Sequence, residues 1–145
     1  MPSRNVVIAG IAVAVAVGAG FAIERLIVTE EERLEVFVKD VTGRIESEKI
    51  DRALAWTDAS RLPIELTIRG STWRFEQQTE LSREAHSKLA PFDGERLSLL
   101  SSHIELKDHS AAVTVDTFSR HGRNTVVYDL RKIGDRWLVS AVNVQ

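Results

Sequence analysis

Asp116 and Asp129, in "VDTFSRHGRNTVVYD", fall on what read as two neighbouring strands with the same side-chain phase. A carboxylate pair within hydrogen-bond range can share a proton or hold a cation. Arg131, two residues past Asp129, would neutralise such a pair, so a solvated charge ladder is the favoured reading. The imidazoles are His86, His103, His109 and His121, and none stands three or four residues from another. A metal centre needs at least three convergent ligands, so no metal is expected. Asp58, in "AWTDAS", is a candidate base at a cavity rim, or a helix-end carboxylate bonded to its own backbone. With 0 cysteines there is no disulfide, thiolate ligand or cysteine nucleophile. No catalytic residue is assigned from these groups, and no cofactor is expected.

The elements that must position them begin at "TEEERLEVFVKDVTGRI". Thr29 with Glu32 forms a capping box, and three acids in the first turn suit the helix dipole. Leu34, Phe37, Val38, Val41 and Ile45 recur at helical spacing. Ser47 caps a second helix carrying Ile50, Ala53 and Leu54, and the two helices read as a helical hairpin ended by Pro63. The period then changes to two. In "PIELTIRGSTWRFEQ" a Gly70-Ser71 turn would pair Ile68 with Trp73 and Leu66 with Phe75. Leu81, Ala85 and Leu89 mark a third helix, stopped by Pro91. Strands follow near 97–100 with 104–106, then over 111–119, 125–132 and 136–144, with turns at Asp108-His109, His121-Gly122 and Gly134-Asp135. These turns set Val113, Val115 and Thr117 opposite Leu130, Tyr128 and Val126, and set Leu130 and Tyr128 opposite Val139 and Ala141, on the face that meets the helices. The other face would carry Asp116, Phe118, Val127, Asp129, Leu138, Val142 and Val144.

Ahead of this domain, residues 5–23 run uncharged between Arg4 and Glu24. At about 1.5 Å per residue they would make a helix of roughly 28 Å, the thickness of a bilayer's hydrocarbon core. Apolar residues occur on every side, so a soluble amphipathic helix is disfavoured. Arg4 precedes the run and Glu30, Glu31 and Glu32 follow it, which places the N-terminus in the cytoplasm and the domain outside. The rival is a cleaved signal peptide, with Gly20 and Ala22 as small residues before a cut. Residues 1–28 are therefore expected to be an anchor or signal peptide, and 29–145 one domain. The 19 basic and 21 acidic side chains are interspersed, which excludes a basic field for nucleic acid.

Helix, helix, strand hairpin, helix, then a meander closing in "YDLRKIGDRWLVSAVNV" resembles the nuclear transport factor 2-like superfamily. The resemblance implies an α+β domain: three helices in the N-terminal half, packed on a strongly curved, mostly antiparallel sheet that encloses a cone-shaped pocket. It also implies that any enzyme activity would need polar groups aimed into that pocket. Ketosteroid-isomerase-like members use a carboxylate base with a tyrosine and a protonated acid, and the one tyrosine here is Tyr128. The pocket candidates are Asp58, His86, Tyr128, Trp73 and Trp137, the tryptophans also serving as core plugs. Phe118, Val127, Val142 and Val144 would form an apolar outer patch, a candidate interface for a homodimer or an envelope partner. The expected function is a membrane-anchored, extracytoplasmic binding or assembly module. The alternative is a small-ligand carrier or enzyme that uses the pocket.

Overall fold

A computed structural model describes residues 29–145, and the expected membrane span over residues 5–23 lies outside them. Helix α1 (Glu30–Asp40) starts at the capping box read from the sequence. Glu32 N–H donates to Thr29 Oγ1 (3.1 Å), while Thr29 N–H and Oγ1–H reach Glu32 Oε2 at 3.3 and 2.8 Å. Leu34, Phe37 and Val38 are its buried stripe. The helix ends before Ile45, because Gly43 takes a left-handed φ of 99° and turns the chain into β1 (Gly43–Arg44). This two-residue strand pairs with the start of β4 and separates α1 from α2 (Ser47–Leu54), so the expected helical hairpin does not form. Ser47 is the first helical residue rather than the cap. Glu46 occupies the N-cap position without a side-chain hydrogen bond.

Strands β2 (Ile64–Ile68) and β3 (Ser71–Phe75) form the expected hairpin, but in a register slipped by two residues. Leu66 pairs with Trp73 and Ile64 with Phe75 across an Arg69-Gly70 turn. Both turn residues have positive φ, 50° and 89°, the combination a two-residue loop needs to match strand twist. A slip of two leaves every side chain on its original face, so hydrophobic alternation could not register it. Helix α3 (Gln78–Leu89) follows and ends in a single 3-10 turn containing Pro91.

Four long strands complete the chain: β4 (Arg96–Leu106), β5 (Ser110–Ser119), β6 (Gly122–Ile133) and β7 (Arg136–Val144). The two segments expected near 97–106 are one strand, irregular between Leu99 and Ser101. The seven strands among the described residues form one curved sheet in the order β1-β4-β5-β6-β7-β2-β3, antiparallel throughout except where β2 joins β7 in parallel. The three helices on this mostly antiparallel sheet give the expected α+β class. The β5–β6 register is also slipped by two: Val113 faces Tyr128 and Val115 faces Val126, since Arg120-His121 rather than His121-Gly122 makes the turn.

One irregularity changes which residues share a face. Between Asp129 and Leu130 the β6–β7 register shifts, with Leu130 opposite Val139 but Asp129 opposite Ala141. Ser140 is the extra residue, a β-bulge that reverses the inside-outside phase of β7 beyond it. The core lies between α1 and the inner sheet face, where Leu34, Phe37, Val113, Val115, Leu130, Trp137 and Val139 are buried together. Phe37 is its hub, meeting the edges of Trp56 and Tyr128 at centroid distances of 5.3 and 5.0 Å. Leu138, expected on the outer face among charges, is fully buried. The α2–β2 connection runs along this part of β7, with Val139 N–H donating to the Trp56 carbonyl (2.8 Å) and Arg136 Nη2 to the Ala55 carbonyl (3.1 Å).

Candidate functional site

Beside that core, helices α2 and α3 do not close fully onto the sheet. A half-open cavity of about 430 Å³ remains between Ile50, Ala53 and Leu54 of α2, Leu81, Ala85 and Leu89 of α3, and the inner sheet face. Leu66, Phe75, Leu97, Val126, Val142 and Val144 supply the sheet wall. Each helix presents the side chains that its apolar periodicity aligns, at i, i+3 and i+4 on α2 and at i, i+4 and i+8 on α3. This volume falls in the range of small-molecule pockets.

Among the described residues, only Asp40, Lys49, Thr57 and Tyr128 bring polar side chains to the wall. Asp40 Oδ2 accepts the Trp56 indole N–H at 2.8 Å. Thr57 Oγ1 donates to the Leu54 carbonyl (2.6 Å) and accepts from Gln78 Nε2 (2.7 Å). Those two groups are engaged. The Tyr128 hydroxyl has no hydrogen-bond partner among the described residues. Burial raises its pKa from 10.0 to about 12, so it stands in the cavity as a neutral phenol. Tyr128 remains half-buried by accessible area, as expected for a ring that borders a cavity.

Of the five pocket candidates, only Tyr128 lines this cavity. Trp137 is buried, 3 % exposed, and belongs to the core cluster. Trp73 is 49 % exposed on edge strand β3, not a core plug. His86 faces away from the wall on α3, with Nε2 2.8 Å from Asp51 Oδ1 of α2, and so ties the two helices together. Asp58 sits in the turn after α2, where its backbone carbonyl accepts the Arg61 and Leu62 N–H groups (2.9 and 2.7 Å). Asp58, His86 and Tyr128 therefore do not converge. The wall residues that sequence reading missed are Asp40, Lys49 and Thr57. Lys49 had a signal, since it lies four residues before Ala53 and so shares the apolar face of α2.

The outer face corrects two further expectations. Val142 and Val144 line the inner cavity, because the Ser140 bulge turns them inward, so the four-residue outer patch does not assemble. Phe118 stays on the outer face, 53 % exposed. Val127 pairs with Thr114 and Asn143. Asp116 and Asp129 are not neighbours, for Asp116 pairs with Thr125 and Asp129 with Ala112, four residues along β5. The Asp116 pKa is lowered first by the Thr125 hydroxyl hydrogen bond, then by Arg123 Nη2 at 3.1 Å, with Ser101 Oγ also at 3.1 Å. Asp129 instead borders an open groove of about 650 Å³ with Glu65, Arg74, Glu105, Lys107 and Arg131, a charge ladder over the small floor of Ala112 and Ala141. Among the described residues no group of three or more His, Cys, Asp or Glu could hold a metal ion.

The sequence matches no family model and no curated protein. Solved structures do share its architecture. A "putative ketosteroid isomerase" from Parabacteroides distasonis superposes with a TM-score of 0.60 at 9 % identity, over 80 % of this chain and 86 % of that one. A protein of unknown function with a cystatin-like fold, from Nostoc punctiforme, gives a TM-score of 0.56 at 17 % identity, over 81 % and 92 %. A de novo designed protein with a curved β-sheet gives 0.59 at 8 % identity, over 81 % and 99 %. At such identities the likeness speaks to fold alone, and the fold of the described residues is that of a nuclear transport factor 2-like domain.

Proposed function

We propose that this domain is a binding module, carried on a membrane by its N-terminal segment and working on the extracytoplasmic side, which holds a small apolar ligand without transforming it. The observation that carries the reading is the cavity of about 430 Å³, apolar around nearly its whole wall and holding one unpartnered hydroxyl. Proton-transfer chemistry needs a base within hydrogen-bond reach of the reacting group. Asp58, the candidate base, and His86, the other titratable pocket candidate, are not part of the wall, and Asp40, the carboxylate that is, accepts the Trp56 indole N–H. A largely hydrophobic wall with few polar anchors is what a binding pocket requires. The membrane assignment is supported by the uncharged run over residues 5–23 and the charges that flank it. Among the described residues no helix is long and apolar enough to cross a membrane.

The test is native mass spectrometry of the full chain released from its membranes, beside an Ala85→Phe variant that fills the cavity from α3. A reproducible small-molecule adduct on the parent that is lost from the variant is the expected result. Equal adducts on both would move the ligand elsewhere, and a bare parent would end the carrier reading. A reporter enzyme that folds only outside the cytoplasm, fused after Gln145, tests the orientation. A second reading, self-association or a partner contact through the outer sheet face, is favoured by the exposed Phe118 ring.

A further inference from the structure

Lys49 is the wall residue whose surroundings explain it least. It is half-buried on α2, lines the apolar cavity, and makes no hydrogen bond or ion pair with any described residue. Its Cε and Nζ lie over Gly43, each 3.5 Å from where a Cβ on that glycine would stand. The left-handed φ of 99° at Gly43 keeps that position free of a side chain, so the lysine head has a defined resting place. Asp40, the other charged group of the wall, is occupied by the Trp56 indole at 2.8 Å and forms no ion pair with Lys49. An ammonium drawn partly out of water without a counter-charge is unfavourable, and lysine is seldom buried unpaired.

A cavity that joins a long hydrocarbon wall to one unpaired cation, one free hydroxyl and a carboxylate already bonded to an indole is complementary to a particular kind of molecule. We infer that the ligand is a single-chain amphiphile whose anionic head pairs with Lys49 while its apolar body fills the space between α2, α3 and the sheet. The volume sets its size. At roughly 30 Å³ for each water-sized group, a cavity of about 430 Å³ accommodates about 14 non-hydrogen atoms. A twelve-carbon carboxylate has that size. Lysine recognises an anion as a point charge, so carboxylate and phosphate heads are both admitted, and the selectivity is against neutral and cationic heads. The inference rests on the carrier reading above and adds the head-group charge to it.

The experiment compares labelled dodecanoate with labelled 1-dodecanol, two probes that share a tail and differ in the head. Equilibrium binding is measured on the full chain in lipid nanodiscs, with Ala85→Phe in the same nanodiscs as the background that removes partition into lipid. The expected result is dodecanoate binding tighter than 1-dodecanol by roughly tenfold, the scale of a charge-assisted hydrogen bond. Lys49→Met should bring the two probes level by weakening dodecanoate alone, and Lys49→Arg should keep the preference. Equal binding of both probes, unchanged in Lys49→Met, overturns the anionic-head inference and leaves the carrier reading intact. Binding of neither probe above the Ala85→Phe background overturns both. A preference that survives in Lys49→Met overturns the role of Lys49.

Discussion

Replacing Phe37 by leucine tests whether the core is organised around that one ring. Phe37 is fully buried, and its edge-on contacts with Trp56 and Tyr128 join α1 to the α2–β2 connection and to β6. Leucine keeps most of the hydrophobic transfer energy but loses both aromatic contacts. At about 0.5–1.5 kcal/mol for each aromatic pair, plus a small residual void, the loss should come to roughly 2 kcal/mol. With a urea m-value of about 2 kcal/mol per M, the unfolding midpoint of the chain from residue 29 onward should fall by about 1 M at unchanged m. Tryptophan fluorescence follows the transition, since Trp56 lies 5.3 Å from the substituted ring. The adjacent Val36, 47 % exposed, is the control, and Val36→Ala should change stability by less than about 0.5 kcal/mol. If the two variants unfold at the same midpoint, the account of Phe37 as hub is wrong.

Arg69 holds a φ of 50° in the β2–β3 turn, a conformation that disfavours a long side chain. Arg69→Asn should therefore raise stability by about 0.5–1 kcal/mol in thermal unfolding. The Asp116 carboxyl is held below its ordinary value of 3.8, so its contribution is present above that value and is lost as pH falls through the lower folded value. Acid-unfolding curves of the parent and of Asp116→Asn should accordingly differ at neutral pH, begin to approach one another only below the ordinary value of 3.8, and converge once pH has fallen through the lower folded value. Tyr128 is the chain's only tyrosine, so its ionisation can be followed by ultraviolet absorbance without assignment. It should ionise near pH 12 in the folded state, and stability should drain away as pH rises from 10.0 towards that value. Phe118→Glu should lower the sedimentation coefficient at high concentration if the outer face self-associates, and an unchanged coefficient at every concentration would remove that reading.

Elements with a local cause were legible in the sequence. The Thr29–Glu32 box fixed the start of α1, and the spacing of Leu81, Ala85 and Leu89 fixed the inner face of α3. Register was legible only modulo two, because Leu66 opposite Trp73 and Leu66 opposite Phe75 place the same residues on the same face. The bulge at Ser140 left no local mark, since its cause is the joint fit of β7 to β6 and β2, and missing it sent Val142 and Val144 to the wrong side. The cavity was legible as an implication of fold resemblance. Its polar content was not, because Lys49 and Asp40 read as ordinary charges until α1, β1 and α2 were brought around Gly43.

Strand β4 is covered by β1 only at Arg96 and Leu97, so from Ser98 to Leu106 its outer edge has no strand partner among the described residues. Such an edge is a template on which other chains can polymerise, and here it includes the exposed Leu99, Leu100 and Leu106. The chain carries its own gatekeepers against that outcome. The irregularity between Leu99 and Ser101 breaks the regular ladder, while His103, Glu105 and, just beyond the strand, Lys107 set charge or polarity between the leucines. Resistance to aggregation thus depends on a few residues that contribute little to the core. Neutralising Glu105 and Lys107 together would leave the fold intact and shorten the time the protein stays in solution at high concentration.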